Sequence, residues 1–340
     1  MKFSEIPNPA EANKSIKDFI NLYQTKVCLA PDKCHCTSTI ISAHTLSVSA
    51  MLKPIAKDGH VYTFHVDLYT WNENGPISFK LKGINDTSVF YGFCSYHDAQ
   101  LFSPIENVSF SCTSEQLFLH VFRAVSKESY LKRKQADMIR EIHNLPSDTE
   151  LGLEDDYLMF EAASLRGAQE VDRLKVKLDQ FYIDSDWSRI ETTIIPFKKR
   201  PSVICNFVYA PDFDFSGNPL QDITDCSRNI DYLIITVLPT DTGGLALLSH
   251  LDTAGSAPRN LIRSLLDRFE ISTALIWLII GQAENIAIAP DWFDSLDPAK
   301  KEMLSSHFTS NMDWFNMQYN LLQKCPNSID NWDHLSPFKI

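Results

Sequence analysis

The chain has 340 residues, 44% apolar and 22% charged, with 11 glycines and 17 prolines. That is the composition of a globular protein with a true core, and it excludes collagen-like and low-complexity chains. A net charge of −12 argues against a general nucleic-acid coat protein, which needs a basic surface. The charge is uneven: residues 1–145 carry 15 basic and 14 acidic side chains, whereas the rest carry 16 and 29. If one half meets a polyanion, the front half is the better suited. Length suggests two domains, here divided as 1–148 and 149–340.

Taken in order, Ile16, Phe19, Ile20 and Tyr23 recur at helical spacing and predict an amphipathic helix capped by Asn13 or Ser15. A Cys-rich stretch follows. Residues 37–49 are rich in β-branched side chains and should begin as a strand; residues 49–57 read as a short helical turn. Asp58-Gly59 is a turn, residues 61–68 alternate as a strand, and residues 72–76 (NENGP) form a hairpin-type turn. Residues 88–93 are another strand, and a helix begins at Asp98. Long helices are predicted over 114–142 and 154–181, separated by LPSDT at 145–149. Beyond Trp187 the pattern turns to strands at 192–196, 202–210, 232–238 and 245–250. No long crossover helix separates them, so a small antiparallel sheet is expected. Helices then follow at 257–269 and 271–284, with another from Pro298.

The longest apolar run, ISTALIWLIIG at 271–281, is too short to cross a bilayer and reads as a buried helix. The polar N-terminus lacks an apolar signal core. A cytoplasmic location without a membrane partner is the expectation, and a disulfide framework is not expected among the eight cysteines. Cys112, Cys205, Cys226 and Cys325 read as ordinary core thiols.

Chemistry concentrates in the front half. CLAPDKCHC runs from Cys28 to Cys36, and Cys94 with His97 forms a C-x-x-H pair in GFCSYHDAQLF. Zinc in a closed structural site takes four N/S ligands; Cys28, Cys36, Cys94 and His97 would supply Cys₃His. Cys34 competes for the first position, but Cys34-x-Cys36 is too tight for a standard knuckle.

Between the halves lie IISAH (Ile40 to His44) and the turn Asp58 to Val61. After them come GFCSYHDAQLFSPIE (Gly92 to Glu106) and EQLFLHVFRA (Glu115 to Ala124). In this order the landmarks of residues 25–130 resemble the treble-clef, HNH-type zinc-supported nucleases. They are closer still to a group of uncharacterised bacterial proteins with I-I-x-A-H and F-C-x-x-H-D motifs. The resemblance implies an N-terminal HNH-like zinc module with flanking helices; joined to the acidic C-terminal domain with the small antiparallel sheet and helices read from the pattern above, it makes the chain α+β. The resemblance also implies phosphodiester hydrolysis of DNA or RNA contacted through residues 25–140. His44 would be the general base, and Mg²⁺ or Mn²⁺ would sit on the scissile phosphate. Asp98 would be a ligand of that second ion, with His97 able to serve there only at the zinc site's expense, and His60 would orient or contact phosphate. The chain departs from the pattern at Ala43, where many such enzymes place a metal ligand. The central Asn has no clear match among Asn72, Asn74 and Asn85. A non-catalytic zinc-stabilised binding module is the alternative.

The helix over 114–142 shows a basic outer face of Arg123, Lys127, Lys132, Arg133, Lys134 and Arg140, usually a solvated surface but also a nucleic-acid candidate. His65 reads as a structural strand residue. Glu284-Asn285 and Asp291-Trp292-Phe293 read as surface caps, and Asp212, Asp214 and Asp222 as a solvated loop without calcium spacing. The acidic back half is expected to sense, regulate, or pair with a protein partner or second copy. A defence role against phage would fit a nuclease joined to a sensor, by analogy alone.

Overall fold

The computed structural model describes residues 25–66, 77–143, 154–312 and 328–340. The expected N-terminal helix, the 72–76 turn, the boundary near 148 and Cys325 lie outside those residues. The helix over residues 271–284 is observed as Ile271–Gln282. It is apolar on every side, with Leu275, Ile276, Ile279 and Ile280 wholly buried. A helix without a polar face must be enclosed, and a large sheet provides one wall.

That sheet has eight strands. In chain order they are β2 (His60–Val66), β3 (Ile77–Gly83), β5 (Ile190–Phe197), β6 (Val203–Tyr209), β7 (Leu233–Thr240), β8 (Gly243–Leu251), β9 (Ile286–Ile288) and β10 (Phe338–Lys339). Their spatial order is β10-β5-β8-β7-β6-β9-β2-β3, and every pairing is antiparallel. Alternate residues feed two cores. Val203, Cys205, Ile235, Val237 and Leu248 face the Ile271–Gln282 helix. Ile204, Leu238 and Leu247 face the other way. Both faces are covered, so these strands read as nearly continuous apolar runs despite being antiparallel.

The sheet corrects the expectation of a small C-terminal one. β2 and β3 precede residue 148 yet form one end of it, through Tyr62↔Ile288 and the β2–β3 register His60↔Gly83 to Val66↔Ile77. The hairpin between the two Cys/His segments therefore does not close the metal unit. That unit is built instead from β1 (Ile40–His44) and β4 (Val89–Cys94), which form their own two-stranded sheet. The helix α1 (Ser95–Glu106) follows β4 directly.

Two long helices, α2 (Ser114–His143) and α3 (Glu154–Ile183), carry this unit. Phe93, Phe102 and Ile105 pack with Phe118, Phe122, Val171 and Leu178, and the same cluster reaches Ile234 and Leu251 of the sheet. The remaining helices are α4 (Ser256–Leu266), α5 (the Ile271–Gln282 helix), α6 (Pro290–Ser295) and α7 (Pro298–Met312). Asp291-Trp292-Phe293 thus lies in a short helix that the sequence reading missed. No helix among the described residues is long and apolar enough to cross a membrane.

Candidate metal centre

Residues 27–29 run beside β4, with the Val27 N–H donating to Tyr91 O and the Leu29 N–H to Gly92 O. This docks Cys28 against the end of β4. From the other side, β1 pairs Ile40 with Cys94 and His44 with Val89. Cys94 and Val89 are five residues apart and would face opposite ways in a regular strand. A bulge between the Ile41 and Ala43 pairings brings both onto the side of Ile40 and His44. Gly92 sits in it; a Cβ there would lie 2.2 Å from the Phe90 ring. Cys94 then caps α1, its Sγ accepting from the His97 N–H at 3.5 Å. The cap turns the His97 ring back over the sulfur.

Four ligand atoms converge. Cys28 Sγ lies 3.5 Å and Cys94 Sγ 3.3 Å from His97 Nδ1, and Cys36 Sγ lies 3.8 Å from Cys94 Sγ. All four atoms fall within 4.8 Å of one another. Tetrahedral zinc with Zn–S near 2.3 Å and Zn–N near 2.0–2.1 Å has S–S edges of about 3.8 Å and S–N edges of about 3.6 Å. The cluster has the donor set and the dimensions to hold a zinc ion. Cys28, Cys94 and His97 are buried and Cys36 is exposed. The competing Cys34 stays exposed and outside the cluster; its N–H is held by Asp32.

The thiols are unequal. Burial opposes the Cys94 thiolate, but hydrogen bonds from the His97 and Thr37 backbone and from the Thr37 and Cys36 side chains bring its pKa down to about 5. Desolvation and the neighbouring Cys28 and Cys94 sulfurs push the Cys36 thiol up to about 11.

The expected catalytic side chains lie nearby but apart from this cluster. His44 is half-buried at the end of β1, its Nε2 3.1 Å from the carbonyl oxygen of Asn85. Burial pulls its pKa below the usual value; Arg123 adds to this, while the Asn85 carbonyl and Glu106 oppose it. Asp98 sits in the first turn of α1 with Oδ1 buried and without a partner among the described residues. Burial pushes its carboxyl up to about 6, opposed by Arg123 and assisted by Glu106 and Cys94. His44 and Asp98 therefore share Arg123 and Glu106 as charged neighbours. His60 is placed differently. Exposed at the start of β2, it bonds the Asp58 carbonyl of its own turn at 2.8 Å and contacts neither His44 nor Asp98 among the described residues. Ala43 is 2% exposed. Among the described residues the only grouping of three or more Cys, His, Asp or Glu side chains that could hold a metal is the four-membered Cys₃His cluster.

The expected basic outer face of α2 is only partly present: Arg133 and Arg140 are exposed and Lys132 and Lys134 half-buried, but Arg123 and Lys127 are drawn into internal contacts. Arg123 is 1% exposed, paired with Glu106 at 2.6 Å and stacked 3.9 Å from the Phe102 ring centroid. Lys127 donates to Asn285 Oδ1 at 2.6 Å, and burial brings its pKa down to about 8. Lys132, Arg133 and Arg140 pair with Glu128, Asp172 and Asp137. The physical reason for the inward pair is that α2 packs against the metal unit and the sheet as well as against α3.

What sequence reasoning missed is a buried polar seam along α2. Gln116, His120, Arg123 and Lys127 stand at i, i+4, i+7 and i+11, a spacing visible in the sequence. Gln116 binds the carbonyls of Pro104 and Ser109. The His120 carbonyl accepts from Asn206 Nδ2 of the sheet. Asn285, expected at the surface, is 6% exposed and joins Ser88, Lys127 and the Asn206 carbonyl. Two further expectations need correction: Cys226 is exposed rather than core, and Asp214 is buried, holding the Ser216 and Asn218 N–H groups of its own turn.

Comparison of the chain with protein-family models, curated proteins and solved structures returns no match.

Proposed function

We propose that the Cys₃His cluster binds a structural zinc ion and that the adjoining face of β1 and α1 hydrolyses phosphodiester bonds of DNA or RNA with a divalent metal. The observation that carries this reading is the His44 imidazole. One ring nitrogen is anchored on the Asn85 carbonyl, which leaves the other as the acceptor, and burial disfavours protonation of the ring. A neutral, oriented imidazole is the group a general base requires. The Asp98 carboxylate, with an oxygen that no described group satisfies, would help hold Mg²⁺ or Mn²⁺, an oxygen-preferring cation. The test is incubation of the full chain with plasmid and with single-stranded RNA, each with Mg²⁺ or Mn²⁺, beside His44→Ala. Metal-dependent cleavage should fall about 10²–10⁴-fold in the variant with its zinc content unchanged. Equal cleavage by both proteins would remove His44 from the mechanism.

A second reading, a zinc-stabilised module that binds without catalysis, is favoured by two observations. Ala43 offers no ligand beside His44, and Arg123 and Lys127 of α2 are engaged internally, while the exposed Arg133 is held by Asp172. One zinc per chain, with no calorimetric signal for Mg²⁺ or Mn²⁺, would select it.

A further inference from the structure

The four ligand atoms of the Cys₃His cluster are unequally sheltered. Cys28, Cys94 and His97 are buried, whereas Cys36 is exposed, as is every residue from Asp32 to Thr39. The exposed sulfur lies beside a buried one: Cys36 Sγ is 3.8 Å from Cys94 Sγ. A disulfide sets its sulfurs about 2.05 Å apart, so this pair has to close by about 2 Å. Cys94 is fixed, because it ends β4 and caps α1. The approach falls to Cys36, which stands in a segment without helix or strand. Two backbone bonds hold that segment, the Cys36 N–H on Lys33 O at 3.2 Å and the Ser95 N–H on Thr39 O at 3.1 Å.

Cys34 is exposed too, but it stays outside the cluster, with its N–H on Asp32 Oδ1 at 2.8 Å. One residue separates it from Cys36, and a bridge that short strains the geometry a disulfide prefers. Oxidation of cysteine follows thiolate character and exposure, and a metal-bound sulfur is deprotonated. With the cluster loaded, Cys36 is the ligand sulfur that combines the two.

We propose that Cys36 and Cys94 form a reversible oxidation site, which a peroxide-class oxidant converts to a disulfide with expulsion of the zinc ion. The inference rests on the zinc reading above and not on the hydrolytic one. In the first step the Cys36 thiolate attacks a peroxide oxygen. The S–O bond forms, the O–O bond breaks, and hydroxide leaves. The Cys94 thiolate then attacks the Cys36 sulfenic sulfur. The S–S bond forms, the S–O bond breaks, and a second hydroxide leaves. Two thiolates together lose two electrons, and one peroxide gains them. Cys28 and His97 remain, half of the four donors that a closed zinc site takes. Because His97 stands in the first turn of α1 and Cys94 caps it, departure of the ion loosens the start of that helix.

The test treats the full chain with hydrogen peroxide. Released zinc is read with the chelating dye 4-(2-pyridylazo)resorcinol, and disulfides are mapped by peptide mass spectrometry. One zinc should leave for each Cys36–Cys94 disulfide formed, and dithiothreitol with added zinc should restore the loaded protein. Cys34→Ser should behave as the parent. Cys36→His, which keeps a nitrogen donor at the exposed corner, should hold zinc and slow its release about tenfold or more. Zinc retained under peroxide overturns the proposal, as does a disulfide joining Cys34 to Cys36, release accompanied only by sulfinic acid, or release from Cys36→His at the parent rate. The two readings fail differently: protein without zinc before treatment removes the metal reading, whereas zinc that is present and stays bound removes the oxidation site alone.

Discussion

Cys94 and Leu248 are both wholly buried, yet different things surround them. Leu248 lies in a continuous hydrocarbon layer, paired in register with Thr193 and Ile235 and facing α5. Cys94 ends a two-stranded sheet whose neighbouring segment, residues 30–39, makes few backbone bonds. A two-stranded pair is marginal by itself in water. The sheet region is thus held by area removed from water, whereas the hairpin region adds to its apolar contacts four donor atoms that could be drawn together by an ion. The lesson is that the same depth of burial can rest on two kinds of bond, which respond to different perturbations.

Removing the ion should give the largest effect and the sharpest contrast. Structural zinc sites contribute about 10–16 kcal/mol of binding free energy near neutral pH. Cys94→Ser should drop zinc from one per chain to near zero by elemental analysis. Hydrogen exchange should then quicken across residues 27–44 and 89–106 while residues 233–251 keep their protection. Loss of protection across both regions together would end the contrast.

The converse change is Leu248→Ala. Truncating a buried Leu in a filled layer costs about 2–5 kcal/mol, so the urea midpoint should fall with the slope preserved. Zinc content should stay at one per chain. A variant that unfolds at unchanged urea but loses metal would place the ion, not the sheet, as the support of the whole chain.

Where the regions meet, the Arg123–Glu106 pair joins α2 to α1. Glu106→Gln leaves a guanidinium buried without a counter-charge, which costs about 3 kcal/mol. Arg123→Met with Glu106→Gln should recover most of that loss, because the unpaired charge is gone. A double-mutant cycle by urea denaturation measures the coupling; purely additive losses would make the pair an incidental contact.

The sequence made the candidate zinc ligands and most elements legible for a definite reason. Cys28, Cys36, Cys94 and His97 are residue types whose chemistry is rare enough to stand out, and helices such as Ser114–His143 carry long, regular periodicity. Strand partners were not legible. β9 has three residues and β10 has two, too short to show a period, and β2 reads as a local hairpin strand until its contact with Ile288 is seen. The basic side of α2 was misread at Arg123 and Lys127 because charge periodicity marks a distinct face without saying whether solvent or protein covers it. Asn85 illustrates the same limit: its carbonyl, the atom that holds His44, has no signature in a sequence.

The smallest expected effect tests that polar seam by pH. His120 is 6% exposed, its Nδ1 has no partner, and burial with the nearby Arg123 brings its pKa down to about 3 from an ordinary value near 6.5. Below about 6.5 the unfolded chain accepts a proton that the folded ring refuses, so stability contributed by this group falls as pH falls through that window. Between pH 7 and pH 5 the loss is about 2 kcal/mol. His120→Leu removes both the unpaired nitrogen and the titration, while the backbone carbonyl that accepts from Asn206 stays in place. The variant should therefore match the parent near neutrality and exceed it at pH 5 by about that amount in urea melts. Parallel acid slopes would mean that the ring accepts its proton in the folded chain, and with it that water reaches the seam joining the metal unit to the sheet.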